Sequence, residues 1–383
     1  MDDIALYIHW PYCLSKCPYC DFNSHVAERI DQGRWRAGLL RELERGAARV
    51  GRRRLTSIFF GGGTPSLMDP DTTGALIARA TALFEAAPDI EITLEANPGA
   101  VDRARFEGFR DAGVNRVSLG VQSLYEDALR FLERRHDVAE ARRAVEAAQS
   151  LFPRTSFDLI YARPGHDPEA WRTELRAALT LAGEHLSLYQ LTIEDGTRFA
   201  ADHRRGAFVL PDDDNAIALW DITQDETERA GLPRYEVSNH ARPGAESRHN
   251  MTYWQGGDYL GIGPGAHGRV TEGEKTYATR QHRAPDIWLK LSESEGGATR
   301  ENIALSARER QEELVLMGLR TTAGIDPQRF FRLSGGVALD NALHRPALSW
   351  LRDEGLIAEG WPLRATSKGV LCLNSVISAL LDA

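Results

Sequence analysis

The sequence predicts an α/β protein in which six βα units surround a parallel sheet and a smaller α+β domain follows. Two observations predict the first part: short apolar runs alternate with amphipathic stretches through the first half of the chain, and turn residues follow most of these runs. The third observation is that helical patterns replace this alternation from about residue 298. Six strands are fewer than the eight of a closed (β/α)8 barrel.

The predicted strands are short and mostly apolar. In parallel α/β sheets, ligands bind beyond the carboxyl ends of the strands. Amphipathic periodicity predicts intervening helices such as 35–50 and 171–182. The predicted strands span residues 5–9, 55–60, 90–95, 114–121, 156–161 and 185–191.

Composition limits the class of partner. Among 383 residues, 46 Lys and Arg face 55 Asp and Glu, so the formal net charge of −9 disfavours nucleic acid and anionic membranes as direct partners. We find no apolar run near the ~20 residues that span a bilayer. Four cysteines in this length indicate a reducing compartment rather than a disulfide scaffold. We therefore expect a cytoplasmic protein that meets a membrane only through a partner.

Three cysteines just after the first strand form a C-x3-C-x2-C triplet: Cys13, Cys17 and Cys20. Thiolates hold iron–sulfur clusters, and this spacing lets one loop present three sulfur atoms to one face of a cluster. Three ligands leave one of four irons open for another molecule. A zinc site with His9 as fourth ligand is the alternative, because Cys372 lies near the other end of the chain.

The triplet resembles the motif of the radical S-adenosylmethionine (SAM) superfamily, since it follows a predicted strand and carries the aromatic Tyr19 just before its last cysteine. The resemblance implies a [4Fe-4S] cluster whose open iron chelates SAM. It also implies that the six βα units form a partial (β/α)6 barrel.

Polar residues follow the next strands where that barrel would bind SAM. The glycine run 61–63 lets backbone amides approach a ligand closely, and the Glu95 carboxylate at a strand end can accept both hydroxyls of a ribose. Gln122 ends the fourth strand, and Arg134 on the next helix suits a carboxylate. Asp158 within an apolar run is costly unless it is paired or binds something.

Together these positions resemble the oxygen-independent coproporphyrinogen III oxidase group and its HemW relatives over nearly the whole chain. One departure leaves the shape of a turn open: Tyr161-Ala162-Arg163-Pro164 stands where the family usually carries Tyr-Gly-Leu-Pro. The resemblance implies SAM contacts from Tyr7, Gly62, Gly63, Thr64, Glu95, Gln122, Arg134 and Asp158, with Tyr19 and Asp21 flanking the cluster.

The segment 235–268 is rich in glycine, aromatic and histidine residues, which suit a flat macrocycle whose metal seeks a nitrogen ligand. We expect this segment to wrap under the barrel mouth. It contains the HemW haem motif His-Asn-x-x-Tyr-Trp unbroken, and His240 or His267 could serve as the iron ligand in place of the motif histidine. The motif residues are His249, Asn250, Tyr253 and Trp254.

The chain is expected to divide into a barrel (1–200), an extension with the haem motif (201–297) and a winged-helix-like domain (298–383). Helices are predicted over 308–321, over 338–354 and from 367 onward. Residues 301–383 hold nine Lys and Arg against ten Asp and Glu, so a cap or partner surface is favoured over a DNA reader.

The preferred hypothesis is a haem chaperone that binds the cluster, SAM and haem, takes haem from a donor and passes it to an acceptor such as a respiratory haem protein. Whether it acts as a monomer or a dimer stays open. The alternative is a coproporphyrinogen III oxidase, a branch that carries a further cysteine where Phe22 stands and an extension before its first strand, which here begins near Ile4. A zinc-stabilised binding module is the third possibility.

Overall fold

Strands and helices alternate through the first half of the chain, as the sequence predicts. The computed structural model describes residues 2–27 and 29–381. Each of the six predicted strands is present. The elements are β1 (Asp3–Trp10), the short β2 (Tyr12–Cys13) and β3 (His25–Val26), α1 (Gln32–Val50), β4 (Arg54–Gly62), α2 (Pro70–Leu83), β5 (Glu85–Ala96), α3 (Arg103–Asp111), β6 (Arg116–Gln122), α4 (Glu126–Phe131), α5 (Val138–Leu151), β7 (Arg154–Tyr161), α6 (Pro168–Leu181) and β8 (His185–Gln190).

The middle of the chain holds more regular structure than the sequence indicates. The sequence predicts no strand after residue 191, yet five follow among the described residues. The elements are α7 (Arg198–Arg204), α8 (Asp213–Arg229), β9 (Asn239–Ala241), α9 (Arg248–Trp254), β10 (Asp258–Ile262), β11 (His267–Glu272), β12 (Lys275–Gln281), α10 (Pro285–Ser292) and β13 (Thr299–Ala304).

The last part of the chain is mainly helical. The helix predicted over 338–354 is two helices, because the backbone is extended at Leu343 and His344 and Pro346 then occupies the first turn of the second helix. Isolated bridges, such as Ile325 to Leu363, complete the small α+β domain. The helices are α11 (Ala307–Gly318), α12 (Pro327–Leu333), α13 (Leu339–Ala342), α14 (Arg345–Asp353), α15 (Ser367–Leu371) and α16 (Leu373–Leu381).

Across residues 2–27 and 29–381, eleven strands form one sheet in the order β13-β12-β11-β10-β1-β4-β5-β6-β7-β8-β9. The strands from β10 to β8 in this order are parallel, so their carboxyl ends meet at one edge. Antiparallel strands extend the sheet at both sides. The curved parallel part is the predicted partial barrel with β10 added beside β1.

Side chains alternate along the barrel strands between the helix layer and the interior of the barrel, which we call the lumen. On β1, Ile4, Leu6 and Ile8 are buried in the main apolar core, where the α1 residues Leu39 and Leu43 are also buried. Polar residues occupy the alternate, lumen-facing positions. The strands therefore look apolar in sequence while carrying a polar interior.

Two large apolar cores and two smaller apolar clusters support the fold of the described residues. The larger core belongs to the barrel, and a second core gathers residues such as Leu314, Leu351 and Leu380 from α11, α14 and α16. Among the described helices, none is both long and apolar enough to cross a membrane.

Candidate functional site

One cavity at the carboxyl edge of the sheet collects the cysteine loop and most of the predicted SAM residues. Its volume is about 140 Å³. Because each barrel strand ends at this edge, residues far apart in sequence meet here. The predicted residues that line the cavity are Cys13, Cys17, Cys20, Tyr19, Gly62, Gly63, Thr64, Glu95, Gln122, Arg134 and Asp158.

Each thiol in this cavity has a polar neighbour. Thr64 Oγ1 donates a hydrogen bond to Cys13 Sγ at 3.3 Å, and Arg134 Nη1 donates to Cys17 Sγ at 3.2 Å. Burial raises the pKa of the Cys13 and Cys20 thiols. A buried thiolate therefore needs a cationic partner, which a metal cluster provides.

The donor set fits an iron–sulfur cluster. Within the part of the chain that the structure describes, no three His, Cys, Asp or Glu side chains converge as ligands of one metal ion. The three thiols instead lie around a shared cavity, and none is in a disulfide. Three sulfur donors spread over one wall suit a multi-iron cluster, in which each thiolate holds a different iron.

The glycine run 61–63 lets the chain pass close to the cysteine loop. A Cβ atom on Gly63 would lie 2.7 Å from the Tyr12 carbonyl oxygen, so only glycine fits there. Gly62 has a φ of 110°, and its N–H donates to Glu95 Oε2 at 3.2 Å. This backbone amide and the Glu95 carboxyl group thereby face the same cavity.

Gln122 and Arg134 form the opposite wall. Gln122 adopts a φ of 71°, a left-handed conformation that is uncommon for a residue with a side chain. Arg134 Nη2 donates to the Gly120 carbonyl oxygen at 2.8 Å, and its Nη1 also contacts Tyr19 Oη at 3.3 Å. Arg134 thus connects the cysteine loop to β6.

Two carboxyl groups lie deep in this cavity. Burial and the neighbouring Asp158 raise the pKa of Glu95 to about 8. Burial also raises the pKa of Asp158 to about 6, although Ser118 Oγ donates to its Oδ1 at 3.4 Å. The pair favours a cationic ligand such as SAM, because a nearby positive charge would offset the cost of ionising both groups.

Two of the predicted residues lie outside the lining of this cavity. Asp21 is exposed beside the cysteine loop. Tyr7 lines an adjoining cavity and donates its hydroxyl proton to His9 Nδ1 at 3.0 Å, while His9 Nε2 donates to the Asn23 carbonyl oxygen at 2.9 Å. Burial lowers the pKa of His9 to about 4, so this chain of hydrogen bonds uses a neutral ring.

The adjoining cavity, of about 170 Å³, occupies the lumen below the predicted SAM residues, and we call it the lumen cavity. Glu95, Ser118 and Asp158 line both cavities. The haem-motif residues His249, Asn250 and Tyr253 line the far wall of the lumen cavity. The motif helix α9 therefore closes the end of the barrel opposite the cysteine loop.

His249 is fully hydrogen-bonded in this position. Its side chain stacks on Phe59 at a centroid distance of 4.9 Å, Ser57 Oγ lies 2.9 Å from Nδ1, and Tyr253 Oη lies 2.5 Å from Nε2. The residue is 1% exposed, and burial lowers its pKa to about 3. Iron ligation by His249 stays a prediction, and it requires one of these hydrogen bonds to break.

Glu91 on β5 holds the beginning of α9, and sequence reasoning missed it. Its carboxylate accepts hydrogen bonds from the backbone N–H groups of Arg248 at 3.2 Å and His249 at 3.1 Å. Arg154 Nη1 donates to the same carboxylate at 2.5 Å. Burial alone would raise the pKa of Glu91, but Arg116 and Arg154 hold it below its usual value.

Arg116 is a second lumen residue that the sequence did not single out. It is 3% exposed, and its Nε atom has no partner among the described residues. The hydrogen bond from its Nη1 to Thr93 Oγ1 is long, at 3.5 Å. Its charge lowers the pKa of Glu91 through space. The spacing of Glu91, Thr93 and Glu95 by two on β5 is the signal that could have revealed this polar lumen face.

The remaining predicted ligands separate in space. Trp254 points away from the lumen and lines a cavity beside α12. His240 is buried, and neither ring nitrogen has a hydrogen-bond partner among the described residues, whereas His267 is exposed at the start of β11. Neither of these two histidines lines the lumen cavity.

The segment 161–164, whose sequence differs from the usual family pattern, still forms a tight turn. Ala162 has a φ of 55°, a left-handed conformation that favours the glycine usual in the family. Adopting it costs an alanine about 1 kcal/mol, because its Cβ atom crowds the backbone. Arg163, where the family usually carries leucine, is buried and forms an ion pair with Glu174 through Nη2 and Oε2 at 2.7 Å. Glu174 also accepts a hydrogen bond from the backbone N–H of Leu124 at 2.8 Å.

Family models match two parts of the chain. Residues 7–178 match the model of the radical SAM superfamily, and residues 305–372 match the HemN C-terminal domain. The first range includes the cysteine loop and the predicted SAM residues.

Curated relatives match almost the whole chain. It is 38% identical over 386 residues to the mitochondrial radical S-adenosyl methionine domain-containing protein 1 of Danio rerio, covering 99% of this chain and 87% of that protein. It is 37% identical over 387 residues to the heme chaperone HemW of Escherichia coli, covering 99% and 98% respectively.

The solved structure of the Escherichia coli coproporphyrinogen III oxidase HemN, described as a radical SAM enzyme, shares the fold. The TM-score is 0.82 at 21% identity, with 100% of this chain and 90% of that chain covered. At this identity the similarity establishes the architecture alone.

Proposed function

The chain belongs to the HemW family of the radical SAM superfamily, and from this premise we propose that it is a haem carrier with a [4Fe-4S] cluster and SAM. The observation that carries the proposal is the near full-length similarity to a heme chaperone, together with the intact haem motif at 249–254. In this proposal haem comes from a donor and passes to an acceptor protein in the cytoplasm, such as a respiratory haem protein.

The cysteine loop would hold the cluster through Cys13, Cys17 and Cys20. When bound, the cluster supplies an open iron that chelates SAM and an electron for its sulfonium. The Arg134 guanidinium stabilises the Cys17 thiolate, which it already contacts. The Gly62–Thr64 backbone would contact the methionine end of SAM, and Glu95 would accept its ribose hydroxyls.

The haem step would use α9. In the structure His249 faces the lumen as a neutral imidazole, the protonation state that binds iron. A movement of α9 away from β4 would break the hydrogen bond between His249 Nδ1 and Ser57 Oγ, whereas Tyr253 lies on α9 and would move with the ring. Haem ligation by this ring would therefore accompany a local movement of α9.

The second candidate function is oxidation of coproporphyrinogen, and the observation that favours it is the fold shared with the HemN enzyme. Phe22 argues against it. This side chain lines the cluster cavity and is 59% exposed, at the position where the oxidase branch carries a further cysteine.

Anaerobic reconstitution of the full chain tests the cluster. We expect Cys17→Ala to lose iron, sulfide and the visible cluster absorbance, because it removes one of three ligands. Cys372→Ala is the matched control and should keep them, since this exposed thiol lies outside the cavity. Loss of the cluster in Cys372→Ala with retention in Cys17→Ala would contradict the assignment.

Haem titration of the reconstituted protein, beside a turnover assay with SAM and coproporphyrinogen, then separates carrier from oxidase. The proposal expects a shifted Soret band and transfer of haem to an apo-acceptor, with little decarboxylation. Robust turnover without a Soret shift would establish the oxidase instead.

A further inference from the structure

The haem motif directs its side chains into two different cavities. His249, Asn250 and Tyr253 line the lumen cavity of about 170 Å³. Trp254, the last motif residue, lines a separate cavity of about 310 Å³ between the end of α9 and the helices α11 and α12. We call it the Trp254 cavity, and its lining includes Trp254, Leu314, Arg329, Phe330, Arg332 and Leu333.

The lumen cavity is too small for a tetrapyrrole as it stands. Pockets for ligands of drug size measure about 300–1,000 Å³, which is above the volume beside His249. The His249 ring is also closed off by its hydrogen bonds to Ser57 and Tyr253. The Trp254 cavity falls within the usual range of volumes.

The interior of the Trp254 cavity is largely apolar. Leu314 and Phe330 are almost fully buried, and Leu333 is half-buried beside them. The indole Nε1 atom of Trp254 is buried, and it has no hydrogen-bond partner within residues 2–27 and 29–381. The cavity thus has largely apolar walls, and the indole N–H of one lining residue lacks a partner among the described residues.

Two arginines stand at the rim of this cavity, one turn apart on α12. Arg329 Nε donates to the Gln255 carbonyl oxygen at 2.9 Å, and neither Arg329 nor Arg332 forms an ion pair with any described residue. Burial and the nearby Arg332 lower the pKa of Arg329. The acidic lining residue Asp326 is occupied, because its Oδ1 accepts the Arg329 backbone N–H at 2.7 Å.

We propose that the Trp254 cavity binds haem by its propionate edge, with the pyrrole edge among Trp254, Phe330 and Leu333 and the carboxylates on Arg329 and Arg332. The inference rests on the proposed haem-carrier function and adds to it the location at which haem binds. Two guanidinium groups that form no ion pair with a described carboxylate match two propionates in charge and number, and arginine suits carboxylates. The aromatic walls match the flat face of the macrocycle.

Binding of haem through its propionates and its pyrrole edge in the Trp254 cavity does not need the haem iron. Metal-free protoporphyrin IX should therefore bind as well, which ligation through His249 alone would not predict. The experiment titrates the reconstituted full chain with haem and with protoporphyrin IX, following absorbance and quenching of tryptophan fluorescence. It compares wild type with Arg332→Gln, Arg329→Gln/Arg332→Gln, Trp254→Phe and His249→Ala.

We expect Arg329→Gln/Arg332→Gln to weaken both ligands by about 10-fold or more, because each lost charged hydrogen bond costs about that much. Arg329→Lys/Arg332→Lys should recover part of the affinity. His249→Ala should keep protoporphyrin IX binding. The matched control is Arg103→Gln/Arg110→Gln on α3, which changes the charge equally at exposed positions of the barrel.

The outcomes separate the two proposals. If wild type binds neither ligand, the haem function itself is wrong. If wild type binds haem but the α12 variants bind like wild type while His249→Ala loses both ligands, the function stands and this site is overturned. Arg332 is exposed, so the single variant Arg332→Gln tests the site even if the double variant fails to fold.

Discussion

At the scale of single residues, we predict that Glu95 couples the binding of SAM to the release of a proton. Its pKa of about 8 in the free protein means that it is mostly protonated at neutral pH. Bound SAM brings a sulfonium charge that favours the carboxylate, so the pKa falls on binding and a proton leaves. We expect the affinity for SAM to rise with pH toward about 8 and then level off.

Isothermal titration in two buffers of different ionisation enthalpy measures this proton release directly. Glu95→Gln should lower the affinity and flatten its pH dependence above about 6, the pKa of Asp158. A release of zero protons by wild type at pH 7 would show that the carboxyl pair does not face the cationic ligand.

A second prediction concerns Arg163, where the chain departs from its family. Arg163→Leu restores the usual family residue but leaves the Glu174 carboxylate buried without its guanidinium partner. Breaking such a pair costs about 3–5 kcal/mol, so the free energy of unfolding should fall by that amount in urea titrations. Arg79→Leu, which breaks an exposed pair with Glu44, should cost at most about 1 kcal/mol.

If Arg163→Leu is as stable as wild type, the Arg163–Glu174 pair is not needed for the turn at 161–164. The double change Arg163→Leu/Glu174→Leu should then differ little from the single change. The pair would be confirmed by recovery of stability in the double variant, since no buried charge remains.

At the scale of elements, α9 depends on one carboxylate from the sheet. Glu91→Gln removes the charge that binds two N–H groups at the start of α9 and pairs with Arg154. We expect a loss of about 3–5 kcal/mol, with faster amide hydrogen exchange in 247–254. Because the pKa of Glu91 is lowered in the folded protein, this stabilisation is present at neutral pH and is lost as the pH falls below about 4.

The control for this change is Glu140→Gln in the capping box of α5, on the protein surface. It should cost at most about 1 kcal/mol, because Gln also fits this capping-box position and only the charge near the helix N-terminus is lost, and it should leave exchange in α9 unchanged. Equal exchange rates of 247–254 in wild type and Glu91→Gln would remove Glu91 from the support of the motif helix.

Strands that repeat the βα pattern were predictable, whereas β10 was not. The six predicted strands are bounded by turns and have helices as neighbours in sequence, so local periodicity indicates them. The segment Asp258–Ile262 is short and contains Gly261, and its partner β1 lies at the other end of the barrel sequence. A Cβ atom on Gly261 would lie 1.9 Å from the His267 carbonyl oxygen, a packing reason that no local pattern reveals.

At the scale of the whole molecule, the two large apolar cores predict that the barrel and the small domain unfold separately. Leu351→Ala, in the core of the small domain, should destabilise 307–381 by about 2–5 kcal/mol. Hydrogen exchange should rise there, while SAM binding stays intact. Leu39→Ala, in the barrel core, is the counterpart and should weaken SAM binding. Equal rises in exchange across the whole chain in both variants would mean that the two cores unfold together.

The sequence predicts those parts of the candidate site that the sheet topology alone brings together. Parallel strands end at one edge, so Glu95, Gln122 and Asp158 were expected together and line one cavity. Glu91 and Arg116 escaped prediction because their role depends on burial inside the lumen, and a charged residue within a strand is more often exposed. The division of the haem motif between two cavities depends on how α9 docks, which sequence spacing does not determine.

The position of α9 between two cavities has a thermodynamic consequence. His249, Asn250 and Tyr253 share the lumen cavity with Glu95 and Asp158, which we propose as SAM-binding residues, while Trp254 faces the small domain. If a ligand on one side shifts α9, the affinity on the other side changes by some factor, and linkage requires that factor to be the same in both directions. A tenfold effect of SAM on haem release, worth about 1.4 kcal/mol, must return as a tenfold effect of haem on SAM.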